Sequence, residues 1–337
     1  MATLADFTTL RVGGPATKII HAQTEAELIA AVSEADAAKT PLLILGGGSN
    51  TLVSDDGFNG TVIKVETTGN SYEIDACSGG MLHVAAGVDW DEFVLFTMEK
   101  GLANLESLSG IPGTVGASPI QNIGAYGHDV SEVIARVRTY DRDAQAIRTF
   151  TTEECTFTYR SSLFKESGDR YLILDVTFHL RRGEQSLPIA YPELARELGV
   201  RIGDRAPITE VRDAVLALRS KKGMLLGMGI YSAGSFFTNP LVSQSVAATL
   251  PVDAPAWPQE DGLVKLSAAW LLEASGIQKG QRHGGAAISS HHVLALINEA
   301  SATSQEICEL AQIARDAVKK RFGITLEPEV RLIGLSL

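Results

Sequence analysis

The stretch that most limits what this chain can become is residues 107–127, SLSGIPGTVGASPIQNIGAYG. Gly110, Gly113, Gly116, Gly124 and Gly127 are interleaved with Pro112 and Pro119, so neither a regular helix nor a central strand can form there. A segment of that length without regular structure is expected to be an ordered functional loop, held by the elements around it. Those elements are legible. Thr24 and Glu27 have capping-box spacing ahead of Leu28, Ile29 and Val32, which predicts a helix to about Lys39; Pro41 ends it, and residues 42–45 read as a buried strand. Residues 61–65 form a β-branched strand, and Asp89 and Glu92 open a helix that closes at Gly101. Strands are expected at 137–140 and 171–180, and helices at 209–220, 267–275 and 303–322. The last segment, TLEPEVRLIGLSL, reads as a strand that Pro328 interrupts. Helices and short strands mix without a sustained βαβ rhythm, so the fold class is α+β rather than a doubly wound sheet.

At 337 residues the chain is long enough for two or three domains. A net charge of −11 argues against a nucleic-acid partner, because phosphate backbones demand a basic face. Cys77, Cys155 and Cys308 are odd in number and far apart, which fits neither a disulfide framework nor metal spacing and points to a reducing compartment. With no apolar leader and no membrane-length apolar run, a cytoplasmic protein is expected. The exception to the acidic character is RSKK, residues 219–222, which reads either as the cation-rich end of a helix or as a site for an anionic ligand.

A second glycine loop, GGGSN at 46–50, follows an apolar strand. Its spacing is not that of a dinucleotide fingerprint, since TLVSDDG follows in place of a helix, and there is no GK[ST] of a phosphate-binding loop. Two glycine-rich loops nevertheless suit the two ends of a bound dinucleotide, whose phosphates backbone N–H groups can approach. Ser235, in SAGSFFTNP, is not the nucleophile of a GxSxG elbow, because Phe237 stands where the last glycine is required. His291 and His292 are expected on opposite faces of a strand and are not read as metal ligands.

Five collinear blocks, ILGGGSN (44–50), IPGTVGASPIQNIGAYG (111–127), YRSSLFK (159–165), AGSFFTNP (233–240) and LEPEVRLIG (326–334), resemble the UDP-N-acetylenolpyruvoylglucosamine reductase (MurB) family. The resemblance implies an FAD-binding fold of the vanillyl-alcohol-oxidase (PCMH) type, built of two α+β subdomains at 1–66 with 325–337 and at 67–200, and an α+β substrate-binding domain at 201–324. The activity implied is reduction of UDP-N-acetylglucosamine enolpyruvate to UDP-N-acetylmuramate with NADPH, through FAD, in peptidoglycan precursor synthesis. By position in the family's motifs, Arg160, Ser235 and Glu329 are implied to be catalytic: a cation for the substrate carboxylate, a proton donor to carbon, and a carboxyl group that polarises the substrate. Gly46, Gly47, Gly48, Ser49, Asn50, Ser118, Gln121, Asn122, Ala125, Arg219 and Arg331 are implied to enclose FAD. Tyr126, Tyr159, Tyr191, Lys222, Asn239 and Lys265 are implied to meet the nucleotide substrate, with Tyr191 in the mobile loop of the tyrosine-loop subtype. A monomer, with no metal, nucleic acid or membrane partner, is expected. Two departures stand out: the segment after Lys222 lacks the family's Leu-Pro-Asp-Pro run, so that Lys221 competes for its role, and His292 stands where an amide is common. Another FAD oxidase of the same superfamily, or a nucleotide-sugar-binding regulator without chemistry, are the competing readings.

Overall fold

The computed structural model describes residues 3–75, 77–259 and 261–337. Contacts divide the chain into two compact units. One comprises Ala16–Gly47 and Asn59–Lys221; the other takes the chain up to Pro15, Gly48–Phe58 and Lys222–Leu337.

The first unit is built on two sheets. In the smaller, Leu42–Leu45 runs parallel to Phe58–Val65, with Ala16–Ala22 on the other side of the latter. The helix Glu25–Ala37 starts where the sequence predicts, with the Thr24 hydroxyl accepting from the Glu27 N–H and the Glu27 carboxylate accepting from the Thr24 N–H. The larger sheet is antiparallel and ordered Ala146–Thr151, Ile134–Asp141, Tyr171–Arg182, Gly79–Ala85, Asn70–Asp75, with the two-residue strand Leu102–Ala103 pairing beside the long central strand. Under it lies the helix Trp90–Glu99, whose Trp90 and Phe93 pack on Phe178 in the main core. A satellite core of Tyr126, Ile189, Leu194, Val211, Val215 and Leu218 holds the helices Pro192–Leu198 and Ile208–Lys221.

The second unit has a four-stranded sheet, Tyr231–Ser235, Ala295–Asn298, Ala286–Ile288, Arg282–His283, and a three-stranded one in which Val264–Leu266 lies between Leu241–Val242 and Ala256–Pro258. The amphipathic helix Ser304–Phe322 buries Ile307, Leu310, Ala314 and Val318, opens on a Thr303 capping box and ends at Gly323 in the left-handed conformation.

Some expectations fail for identifiable reasons. Ala16–Ala22 and the paired Asn70–Asp75 and Gly79–Ala85 are strands that the residue pattern does not announce, because their exposed faces carry Lys18, His21, Glu73 and His83 and blur the alternation. His291 and His292 sit in a bend ahead of the strand Ala295–Asn298, not on a strand, so the opposite-faces argument does not apply to them. Pro328 is itself a bridge partner of Phe237, with the strand proper confined to Arg331–Ile333.

Candidate functional site

In the first unit the two glycine loops meet. The Gly46 carbonyl, at the end of strand Leu42–Leu45, accepts from the Lys64 ammonium on the neighbouring strand. Burial holds the Lys64 pKa below the ordinary lysine value, against the opposing pull of Glu66. A Cβ on Gly47 would lie 2.7 Å from the Gly113 Cα, so only glycine allows this approach of backbone to backbone.

The second loop is clamped at its start by the first turn of helix Trp90–Glu99. The Trp90 indole donates to the Leu108 carbonyl at 3.0 Å, and its backbone N–H to the Gly113 carbonyl at 3.1 Å. The Asp91 carboxylate accepts the Gly110 N–H at 2.6 Å and a two-pronged grip from the Arg212 guanidinium at 2.8 and 2.7 Å. Gly110 is held from its other end too, its carbonyl accepting from Arg219 Nε at 3.0 Å. Arg219 is 9% exposed, and burial lowers its pKa against the opposing charges of Tyr126 and Asp91.

Farther along, Asn122 ties the loop to the turn that carries Arg160: its side-chain N–H donates to the Thr158 carbonyl and its oxygen accepts from the Ser131 N–H. Arg160 has φ 55°, a left-handed value that L residues rarely adopt, and donates to the carbonyls of Gly124 at 2.6 Å and Asn122 at 3.3 Å. Tyr159 stacks 5.7 Å from its guanidinium. Asn122 and Tyr126 share the left-handed conformation, at φ 46° and 52°, so three implied site residues sit in backbone that only a well-determined surrounding maintains. Ser118 is buried and donates its hydroxyl to the Val115 carbonyl; Gln121 and Ala125 are half-buried on the same loop.

The hairpin Gly124–Ala125/His128–Asp129 receives the Tyr191 segment. The Tyr126 and Tyr191 rings meet edge to face at 5.6 Å. A Cβ on Gly127, whose φ is +90°, would fall 2.8 Å from the Ala190 Cβ, and His128 Nε2 lies 3.2 Å from the Pro188 carbonyl oxygen. Burial, offset by Arg219 and supported by Glu193 and Tyr191, pushes the Tyr126 hydroxyl up to about 12, so it is a donor at neutral pH. Lys221 is engaged by the Glu197 carboxylate, both oxygens at 2.9 Å.

In the second unit Ser235 ends the strand Tyr231–Ser235 opposite Ala295, after Gly234 at φ 73° and a shift in register. The chain then runs beside the C-terminal segment. The Glu329 N–H donates to the Phe236 carbonyl at 2.8 Å, Phe237 bridges Pro328, and the Thr238 N–H donates to the Glu327 carbonyl. Glu329 is thus paired through the backbone with Phe236, the residue that follows Ser235, and both Phe236 and Phe237 are buried. Asn50 fastens the same segment, its side chain donating to the Glu329 carbonyl at 3.0 Å and its own carbonyl accepting from the Arg331 N–H at 3.0 Å. Arg331 opens the strand that pairs with Thr51–Val53; Gly48 accepts from the Thr9 N–H, and Ser49 lies between Gly48 and Asn50. Asn239 caps the helix Ala268–Ala274 by accepting the Ala268 N–H, and Lys265 stands between Leu241 and Trp257 on the three-stranded sheet.

Residues 16–149 match the family described as FAD binding domain, and residues 227–333 that described as UDP-N-acetylenolpyruvoylglucosamine reductase, C-terminal domain. The UDP-N-acetylenolpyruvoylglucosamine reductase of Cutibacterium acnes is 51% identical over 340 residues, covering 99% of this chain and 90% of that protein. The chain belongs to the UDP-N-acetylenolpyruvoylglucosamine reductase family. A second reductase of this family, from Thermobifida fusca, is 49% identical over 99% of the chain and 97% of its own length. The crystal structure of the Thermus caldophilus reductase superposes with a TM-score of 0.68 at 25% identity, over 98% of this chain and 97% of that one. The reductase family's fold is therefore this chain's: α+β, with an FAD-binding fold in its first part and the reductase C-terminal domain in its last. Sequence reasoning misses Lys64, Asp91 and Arg212 as supports of these loops, since each acts on a residue it meets only in the folded chain.

Proposed function

We propose that the chain reduces UDP-N-acetylglucosamine enolpyruvate to UDP-N-acetylmuramate in peptidoglycan precursor synthesis, with FAD bound and NADPH as reductant. The observation that carries this reading is the pairing of the Ser235 strand with the Glu329 segment, which holds a hydroxyl and a carboxyl group at adjoining backbone positions in a family of named reductases. The residues fit the cofactor: the Gly47 backbone lies against that of Gly113, so the two glycine loops are in contact, and glycine loops offer backbone N–H groups that a pyrophosphate can approach closely. On this reading Gly46, Gly47, Gly48, Ser49, Asn50, Ser118, Gln121, Asn122, Ala125, Arg219 and Arg331 hold FAD, Asn122 by its backbone because its side chain is committed to Thr158 and Ser131.

When bound, FAD supplies the carrier of two electrons between NADPH and the enol ether. Arg160 holds the substrate carboxylate and stabilises the charge that develops on it, and Glu329, protonated, donates to the same group. Ser235 delivers a proton to the carbon beside the carboxylate; with hydride gained at the terminal carbon, the double bond is saturated and the charge balances. Tyr126, Tyr159, Tyr191, Lys222, Asn239 and Lys265 bind the nucleotide sugar. The division into FAD-binding parts at 1–66 with 325–337 and at 67–200, and a substrate-binding part at 201–324, belongs to the same proposal. So do a monomer, a cytoplasmic location, and the absence of nucleic acid or membrane partners, which the net charge of −11 and the lack, among the described residues, of a helix long and apolar enough to cross a membrane support.

The test is turnover by the purified, flavin-loaded protein. NADPH oxidation that depends on the enolpyruvyl UDP-sugar is expected. Fast oxidation of simple alcohols would replace this reading with that of an oxidase, and a protein that takes up no flavin yet binds UDP-sugars would be a regulator.

A further inference from the structure

His128 has both ring nitrogens on acceptors. Nδ1 lies 3.0 Å from the Glu132 carboxylate, and Nε2 lies 3.2 Å from the Pro188 carbonyl. A carboxylate and a carbonyl can only accept, and a neutral imidazole carries one N–H, so both bonds exist together only when the ring is an imidazolium. Two carboxylates face it: Glu132 on its own turn, and Glu106 from the short helix Glu106–Leu108. Glu106 is 1% exposed, with one oxygen accepting the Asn104 N–H and the other, Oε1, meeting no hydrogen-bond donor among the described residues. The nearby Asp129 carboxylate is occupied by Ser131. The Tyr191 segment contributes the Pro188 carbonyl, the close contact of Ala190 on Gly127, and the Tyr191 ring against Tyr126.

We propose that protonated His128 is a positioning residue for the substrate tyrosine: it latches Pro188 to the Gly124–Asp129 hairpin and so seats Tyr191 for the nucleotide sugar. The role of Tyr191 rests on the function proposed above; the latch does not. The direction of the His128 titration agrees. Burial alone would lower its pKa, but the hydrogen bond and charge of Glu132, the Pro188 carbonyl and the charge of Glu106 together raise it above the usual histidine value. The latch is therefore complete below the ordinary histidine pKa of about 6.5 and is lost as pH rises through the higher, folded value. Above that, the ring keeps one N–H and must give up either Glu132 or Pro188.

The experiment combines histidine NMR with amide hydrogen exchange on the flavin-loaded protein, exchange being normalised for its intrinsic pH dependence. His128 is expected to titrate above the ordinary value, and protection of residues 185–204 to fall by about tenfold in the same pH range. In Glu132→Gln both midpoints move to lower pH, and in His128→Gln, whose amide still donates to Pro188, protection no longer depends on pH. The KM for the enolpyruvyl UDP-sugar rises through the same range in the wild type, while kcat and flavin reduction by NADPH hold. A His128 midpoint at or below the ordinary value, or protection with the same pH dependence in wild type and His128→Gln, overturns the latch. The NMR arm needs no variant, so a misfolded substitution does not shield the proposal. If the enolpyruvyl sugar is not reduced at all, the proposed function fails while NMR and exchange still decide the latch.

Discussion

Arg160 shows how much of this site is set by single backbone positions. Its left-handed φ aims the side chain at the Gly124 and Asn122 carbonyls, and its planar fork can make those bonds while still presenting N–H groups to a carboxylate. Lysine keeps the charge but not the fork. Arg160→Lys is expected to lower kcat/KM for the enolpyruvyl sugar by roughly 30- to 100-fold, the worth of one or two charge-assisted hydrogen bonds, with NADPH reduction of the flavin unchanged in stopped-flow. Arg160 was legible from YRSS only through its resemblance to a family motif; as an isolated arginine beside a tyrosine it carries no signal. Lys64 and Glu106 carry none either. A lysine on a β-branched strand and a glutamate in a loop look like surface residues until the fold sets one on the Gly46 carbonyl and buries the other.

Elements inherit this locality unevenly. The helices Glu25–Ala37 and Ser304–Phe322 begin at capping boxes because every partner of the cap is within three residues, so sequence spacing is enough. The clamp on the second glycine loop is different: Arg212 and Asp91 are 121 residues apart, and no local pattern pairs them. Asp91 sits in opposing influences, burial raising its pKa and the Arg212 bonds and charge, the Gly110 N–H and the Arg219 charge lowering it, with a net fall. Its contribution to stability is thus full above the unfolded carboxylate value of about 3.9 and is lost as pH drops through the lower, folded value. Two outcomes follow. Arg212→Gln, which leaves Asp91 half-buried without its cation, should weaken FAD binding by about tenfold or more in a fluorescence titration of the apoprotein and lower its melting temperature. Acid release of FAD from the wild type should begin at lower pH than from the variant.

At the scale of the molecule, the α+β class and the longer helices could be read from periodicity and caps, and the family from five collinear blocks, but the strands Ala16–Ala22, Asn70–Asp75 and Gly79–Ala85 could not. What periodicity could not supply is the assignment of segments to compact units. GGGSN is cut between Gly47 and Gly48, and RSKK between Lys221 and Lys222, so two motifs that look single contribute to both units. The Ser235 and Glu329 partnership belongs to the same class of long-range facts, made by backbone bonds between a strand end and the C-terminal segment. With 20% charged residues and a net charge of −11, a monomer is expected by light scattering of the flavin-loaded protein at micromolar concentration; a stable dimer would overturn that part of the proposal.

The central claim is that Ser235 gives a proton to carbon after hydride transfer, and the two half-reactions of Ser235→Ala, followed separately by stopped-flow absorbance of the flavin, test it most directly. Reduction by NADPH is expected to proceed at the wild-type rate, and reoxidation by the enolpyruvyl UDP-sugar to slow by at least about 10³-fold without loss of sugar binding. Equal slowing of both halves, or reoxidation at the wild-type rate, would contradict it.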